Sequence, residues 1–178
     1  MRCGGIPDAV PGWMGKQVER EVSKDTLPLS ERIGQLIVIP FTVLGLWFFS
    51  EHQSRPTGFF TDGFGTVEAA LFYGSIAVGL VPPVARFLIG RKNPVRVVDV
   101  VQMIFFVVAG AYLLGSFPFD FTYFAHVLPS SIQPAVDWIT DGIAKFVMGI
   151  ALVAGVVSIP YTIMLYHHVK RRLLVRTL

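Results

Sequence analysis

The chain has 178 residues, of which 53% are hydrophobic and 15% charged, with a formal net charge of +3 and a mean hydropathy of +0.60. A soluble core of this size cannot take up that much apolar surface, so the composition excludes an ordinary globular domain and points to a multi-pass membrane protein. The one cysteine, Cys3, excludes an internal disulfide framework and a cysteine metal site, and with no apolar stretch before it supports neither a signal peptide nor a lipid anchor.

Residues 1–32 form a polar N-terminal segment broken by Pro7, Pro11 and Pro28. Trp13, Met14, Val18 and Val22 make a stripe at helical spacing, and Lys16, Arg20 and Lys24 recur beside it. That is the pattern of a short amphipathic helix, one that lies on an anionic membrane surface or packs on another part of a protein.

The first apolar span is predicted over 33–50, near the short end of what crosses a hydrocarbon layer. Pro40 removes a backbone donor in mid-span and is expected to bend the helix, leaving the carbonyl near Leu36 to find another partner. Trp47, Phe48 and Phe49 read as an interfacial belt before the turn-rich stretch 51–65. In the second span, 67–89, the spacings Ala70 to Gly74 and Ser75 to Gly79 admit a close helical neighbour, and Pro82 and Pro83 kink or end the helix before Arg86. The connection 90–96, GRKNPVR, allows only a tight antiparallel turn. Span three, 97–117, carries Asp99 and Gln102 near its start and Ala111 and Gly115 at small-residue spacing. The Phe-rich segment 118–140 contains no Lys or Arg; from Pro134 it is expected to be helical and to run on into a fourth span, 142–166, where Ala151 and Gly155 repeat the spacing. Residues 33–168 thus make a four-span domain, and 169–178 a basic tail.

The basic residues alternate. Arg2, Lys16, Arg20, Lys24 and Arg32 precede span one, Arg55 alone follows it, Arg86, Arg91, Lys92 and Arg96 surround the next turn, 118–140 has none, and Lys170, Arg171, Arg172 and Arg176 follow span four. This satisfies the positive-inside rule at every turn, so both termini and 90–96 are expected in the cytoplasm. The fold class that follows is all-α: a four-helix antiparallel transmembrane bundle with a peripheral N-terminal segment.

Charges at membrane depth are costly unless paired. Asp99 and Arg86 each lie about one turn inside the same boundary on antiparallel neighbours and are expected to pair; the alternative is a proton, ion or solute path through Asp99 and Gln102. At the opposite end Lys145 is expected to pair with Asp141, four residues before it, or with Glu68. His52 and His126 fall on one side and His167 and His168 on the other, so no pair can bracket a haem; a ligand shared by His52 and His126 with Asp120 or Glu68 stands against ordinary interfacial histidines. There is no G-x-S-x-G, no phosphate loop and no His pair at helical spacing, and no cofactor is expected. The partners expected are the lipid bilayer, anionic headgroups at RKNPVR and KRRLLVR, and other membrane subunits or a second copy, with no nucleic acid. The leading reading is a non-enzymatic membrane protein that acts by contact, with Ala151, Gly155 and segment 117–124 predicted as contact sites; the alternatives are a small channel or transporter and an enzyme at the outer surface.

Overall fold

The computed structural model describes residues 12–176, so Cys3, Pro7 and the rest of 1–11, together with 177–178 of the tail, lie outside the described residues. Seven helices follow in order: α1 Gly12–Ser23, α2 Leu29–Gln35, α3 Val38–Ser54, α4 Thr66–Val78, α5 Val81–Ile89, α6 Lys92–Ser116 and α7 Asp141–Arg176. Two short 3₁₀ turns, Phe121–Tyr123 and Gln133–Ala135, occupy the connection between α6 and α7. Taken as α2 with α3, α4 with α5, α6, and α7, four helical stretches are long and apolar enough to cross a membrane.

Prolines explain why the first two stretches are each written as two helices. Pro40 cannot donate to the Leu36 carbonyl, and its ring would crowd that carbonyl; the chain breaks there, and the Ile39 N–H takes the carbonyl instead at 3.0 Å. Pro82 and Pro83 sit in the first turn of α5, where missing donors cost nothing, while Leu80 N–H closes a tight turn onto Ala77. Gly90 then ends α5 in the left-handed region at φ 66°, which a glycine adopts without strain. Pro160 leaves α7 uninterrupted.

The central packing is α6 against α7; α4 and α5 also pack on α6, α3 mainly on α4, and α2 on α5. A Cβ on Gly110 would stand 2.8 Å from Leu152, and one on Gly155 2.8 Å from Val107, so these glycines are where the two backbones approach most closely. Those pairs fix the antiparallel register and put Arg96 opposite Tyr166, which share one small cleft. With 36 residues, α7 is about 54 Å long at 1.5 Å per residue, well beyond a hydrocarbon layer of about 30 Å, and it overhangs the start of α6. Just before it, where α7 runs beside the first turns of α6, α1 docks: Met14, Val18 and Val22 are buried against Leu165 and Val169.

Of the two settings expected for α1, its apolar stripe takes the second and packs on α7, and of its residues only Trp13 stays exposed. Other expectations are corrected. The segment from Pro134 makes a single 3₁₀ turn, and α7 begins only at Asp141: the Trp138 indole N–H donates back to Ala135 O, and the Thr140 hydroxyl accepts from the Ile143 N–H at the start of α7. The tail that follows 168 is helical through Arg176. Gly155 and Ala151 face inward, Gly155 onto α6 and Ala151 into an interior cavity, so neither is on an outer contact face.

Because Val107 is β-branched and stiff, a side chain at 155 has nowhere to go. Gly155→Leu is expected to lower stability by about 1–3 kcal/mol through overpacking. Gly149→Leu, where nothing lies within 4 Å, is expected to be near neutral. Thermal melting of the two detergent-purified variants checks this, and equal melting temperatures would contradict the packing described.

Candidate functional site

The two ends of the bundle are built from different chemistry. At the basic end, every charge of the 86–99 stretch has a partner. Arg86 Nη2 donates to both carboxylate oxygens of Asp99, at 2.6 and 2.7 Å. Arg96 Nη2 donates to Glu21 Oε2 on α1, and its Nη1 donates to Asn93 Oδ1 at 2.8 Å. Asp25, 3% exposed, accepts from the Asn93 N–H at 2.8 Å and from Arg91 Nε at 3.2 Å. It thereby caps the N-terminus of α6, where a carboxylate is favoured by the helix dipole. Lys92 reaches Glu31 at 3.9 Å, a solvent-exposed contact of little energetic weight.

Backbone bonds reinforce this end. Leu27 N–H donates to Gly90 O and Lys92 N–H to Asp25 O, both at 2.8 Å, and Arg32 donates to Phe87 O and Leu88 O at the end of α5. Asp99, Arg86, Arg96, Lys92, Glu21 and Gln35 line a cleft of about 320 Å³. Gln102 is half-buried and is not part of this lining, so Asp99 and Gln102 do not share one cleft. Arg91, Lys92 and Arg96 of the RKNPVR cluster, expected to hold anionic headgroups, each meet an acid of their own chain.

Glu21, Asp25 and Glu31 are the residues that sequence reasoning missed. Their signal was present: acids at 21 and 25, four apart, in a segment otherwise rich in Lys and Arg, opposite a basic turn. What hid them is that the two stretches are about 70 positions apart in sequence.

The other end is aromatic. Phe59 and Phe119 are buried, and Phe49, Phe60, Phe64, Phe72, Phe117, Phe121 and Phe124 pack around them with Leu113 and Met148. Ring centroids lie 4.0–6.5 Å apart in edge and tilted arrangements, the geometry aromatic quadrupoles prefer. Asp120 N–H to Phe59 O, 2.8 Å, and Thr61 N–H to Pro118 O, 3.2 Å, stitch the 58–61 loop to the chain after α6. The phenylalanines of segment 117–124, expected as an outer contact site, pack into this dome, while Thr122 and Tyr123 stay exposed.

His52 is 2% exposed within it. Its Nε2 faces the Phe124 carbonyl at 3.1 Å, an acceptor only, so Nε2 carries the proton and Nδ1 accepts from the Thr57 hydroxyl at 2.6 Å. Both ring nitrogens are taken, and His126 is exposed, its ring edge-on to Tyr123 at 5.1 Å between centroids. Among the described residues no group of three or more His, Cys, Asp or Glu is placed to hold a metal ion.

Lys145 does not make the ion pair expected of it. Asp141 Oδ1 instead accepts from the Phe121 N–H at 2.7 Å, and Glu68 accepts from the Tyr112 hydroxyl at 2.9 Å and the Gly65 N–H at 3.0 Å. The Lys145 ammonium rests 4.2 Å from the centroid of the Phe117 ring. Phe117 holds that ring from a left-handed backbone at φ 36°, a strained position for a bulky residue.

Beneath the dome lies a wholly apolar cavity of about 320 Å³ between α3, α4, α6 and α7, walled by Phe72, Ile76, Gly110, Met148, Ala151 and Leu152 among others. The small residues sort by what they meet. Gly74 is in van der Waals contact with Phe105, and Ser75 lines the cavity with its hydroxyl turned back onto Leu71 O at 2.6 Å. Gly79 sits at the α4–α5 break against its own backbone, and Ala70 is exposed. Ala111 and Gly115 are exposed on α6, and nothing lies within 4 Å of a Cβ placed on Gly115.

No family model, curated protein or solved structure matches this chain. The chemistry available is therefore read from the arrangement alone. It comprises a paired ionic cluster at one end, a closed aromatic dome at the other, and an apolar interior between them.

Removing one partner of Arg86–Asp99 leaves a charge without compensation. Arg86→Met alone is expected to cost about 3 kcal/mol, the low end for buried pairs because the Arg86 side chain keeps 28% exposure. The double variant Arg86→Met with Asp99→Leu is expected to recover most of that loss. Chemical denaturation of the three proteins measures the coupling, and strictly additive effects would show that the pair contributes nothing.

Proposed function

We propose that the chain is a non-catalytic multi-pass membrane protein that works by contact with a further membrane chain, as a subunit of a complex or as a homo-oligomer. Four helices of sufficient length and apolarity support insertion. The separation of Lys and Arg to one end supports a cytoplasmic location for both termini and the 90–96 turn. Exposed Lys16 and Arg20 on α1 and Lys24 just after it, with Arg172 and Arg176 on α7, then form the surface that meets anionic headgroups.

The observation that carries the contact reading is the open face of α6. Gly74, Gly110 and Gly155 each meet a neighbour within the bundle, whereas Ala111 and Gly115 look outward, on a face continued by Val101, Ile104, Val108 and Tyr112. In lipid no hydrophobic force joins helices, so a shallow groove of small residues is where a second helix can gain dispersion contacts at short range. The transport reading has less support: Arg86 clamps the Asp99 carboxylate, and the interior toward the dome is the apolar cavity.

Gly115→Leu and Ala111→Leu are expected to shift the protein from an assembled to a smaller species in native detergent extracts while leaving its melting temperature unchanged. A wild type that already runs as a monomer would end the contact reading. For topology, on a Cys3→Ser background, Asp62→Cys is expected to react with an impermeant thiol reagent in intact cells. Arg176→Cys is expected to react only after permeabilisation, and the reverse pattern would invert the orientation.

A further inference from the structure

The cavity beneath the dome is a site that contact with another helix does not use. We propose that it holds one acyl chain of an anionic phospholipid, whose phosphate sits on Lys145. This rests on the membrane insertion proposed above and is independent of any partner chain.

The occupant follows from the lining, the depth and the opening. No polar surface faces the cavity: its one hydroxyl, Ser75, is bonded to Leu71 O, so neither water nor a polar ligand finds a partner there. At about 320 Å³ it is roughly twice the size of an apolar cavity known to take up benzene, which suits a length of hydrocarbon chain and leaves no room for a headgroup. An empty cavity of this kind forfeits dispersion contacts along all its walls, and in a bilayer liquid hydrocarbon is adjacent to fill it. Phe59, Phe119 and Phe121 roof the end toward solvent. Val147, by contrast, lines the cavity and is 58% exposed, so the opening is sideways, at lipid depth. Extensive packing joins α7 to α6, α3 touches α4 only sparsely, and α3 with α7 is not among the closely packed pairs, which leaves that side open.

Lys145 supplies the second, independent observation. It stands one helical turn before Met148 of the lining, and its ammonium rests on Phe117, whose ring stacks on Phe121 of the roof. Among the described residues no carboxylate lies within ion-pair distance of it, because Asp141 is held by the Phe121 N–H and Glu68 by Tyr112 and Gly65. Arg55, the other cation at this end, is paired with Glu51 at 2.9 Å. A cation thus stands one helical turn from the lining of a hydrocarbon-walled cavity, oriented by an aromatic ring and, among the described residues, with no acid in ion-pair reach. A phosphodiester with its chain below matches both features.

The test uses the full chain reconstituted in phosphatidylcholine vesicles that contain a trace of phosphatidylglycerol bearing a mid-chain diazirine, and in parallel the same photoreactive chain on phosphatidylcholine. Mapping of the adducts is expected to place label on the cavity walls around Gly110 and Met148 at about five times the level on the exposed face of α3. Ala151→Phe and, from the opposite wall, Ile76→Phe fill the space and are each expected to lower wall labelling about fivefold without lowering the melting temperature. Lys145→Ala is expected to abolish the preference for the phosphatidylglycerol probe and to spare labelling by the phosphatidylcholine probe. Label spread evenly over all lipid-facing residues, or unchanged in both filled variants, would overturn the site. An unchanged headgroup preference in Lys145→Ala would overturn the role of the lysine. Absence of any adduct from protein that also fails to float with the vesicles would instead overturn insertion, and the site with it.

Discussion

The close approach of α6 and α7 is the contact on which the rest of the molecule depends. Two glycines permit it, Gly110 under Leu152 and Gly155 under Val107, and together they set one antiparallel register. From that register the ends follow. Toward the basic end Leu165 and Val169 of α7 fall beside the first turns of α6 and give α1 its only extensive packing surface among the described residues. Toward the other end the start of α7 falls beside the 121–123 turn, and Asp141 can bond the Phe121 N–H and fasten the dome.

The two ends then hold the remaining helices by different forces. At the basic end, charge pairing and two backbone bonds between 25–27 and 90–92 tie α1 and the linker before α2 to the start of α6. At the aromatic end there are few charges. Dispersion and quadrupole contacts among nine phenylalanines do that work, with the buried His52 bridging α3 to the 3₁₀ turn by way of Phe124. Between the ends α3 has little beside α4 to lean on, and the lateral opening of the cavity is the consequence.

The polar accounting separates Asp99 from Lys145. Both are single charges near a span boundary, and the cost of leaving either unpaired pointed to the nearest opposite charge. Asp99 has one cation at the right depth on a neighbour joined by a short turn, and Arg86 meets it. Lys145 has two acids nearby, but each carboxylate finds a backbone N–H, and Glu68 also a tyrosine hydroxyl, in geometry that a flexible lysine cannot match. Competition of this kind depends on where loops place their N–H groups, which no spacing rule contains.

Hydropathy and prolines were enough to determine the four apolar stretches, their approximate limits and the breaks near Pro40 and Pro82, because these are local: a missing donor or a run of apolar side chains acts on its own few residues. The composition also determined that α1 is amphipathic, through the spacing of Met14, Val18 and Val22. Only the tertiary structure decided what that stripe covers, which small residues are buried and which look outward, and that the phenylalanines of 117–124 turn inward to close a dome. The reason is physical. A small residue or an aromatic ring admits a neighbour from any direction, and the direction is chosen by the register of α6 on α7, a relation between positions more than 40 residues apart that the sequence does not write in either of them.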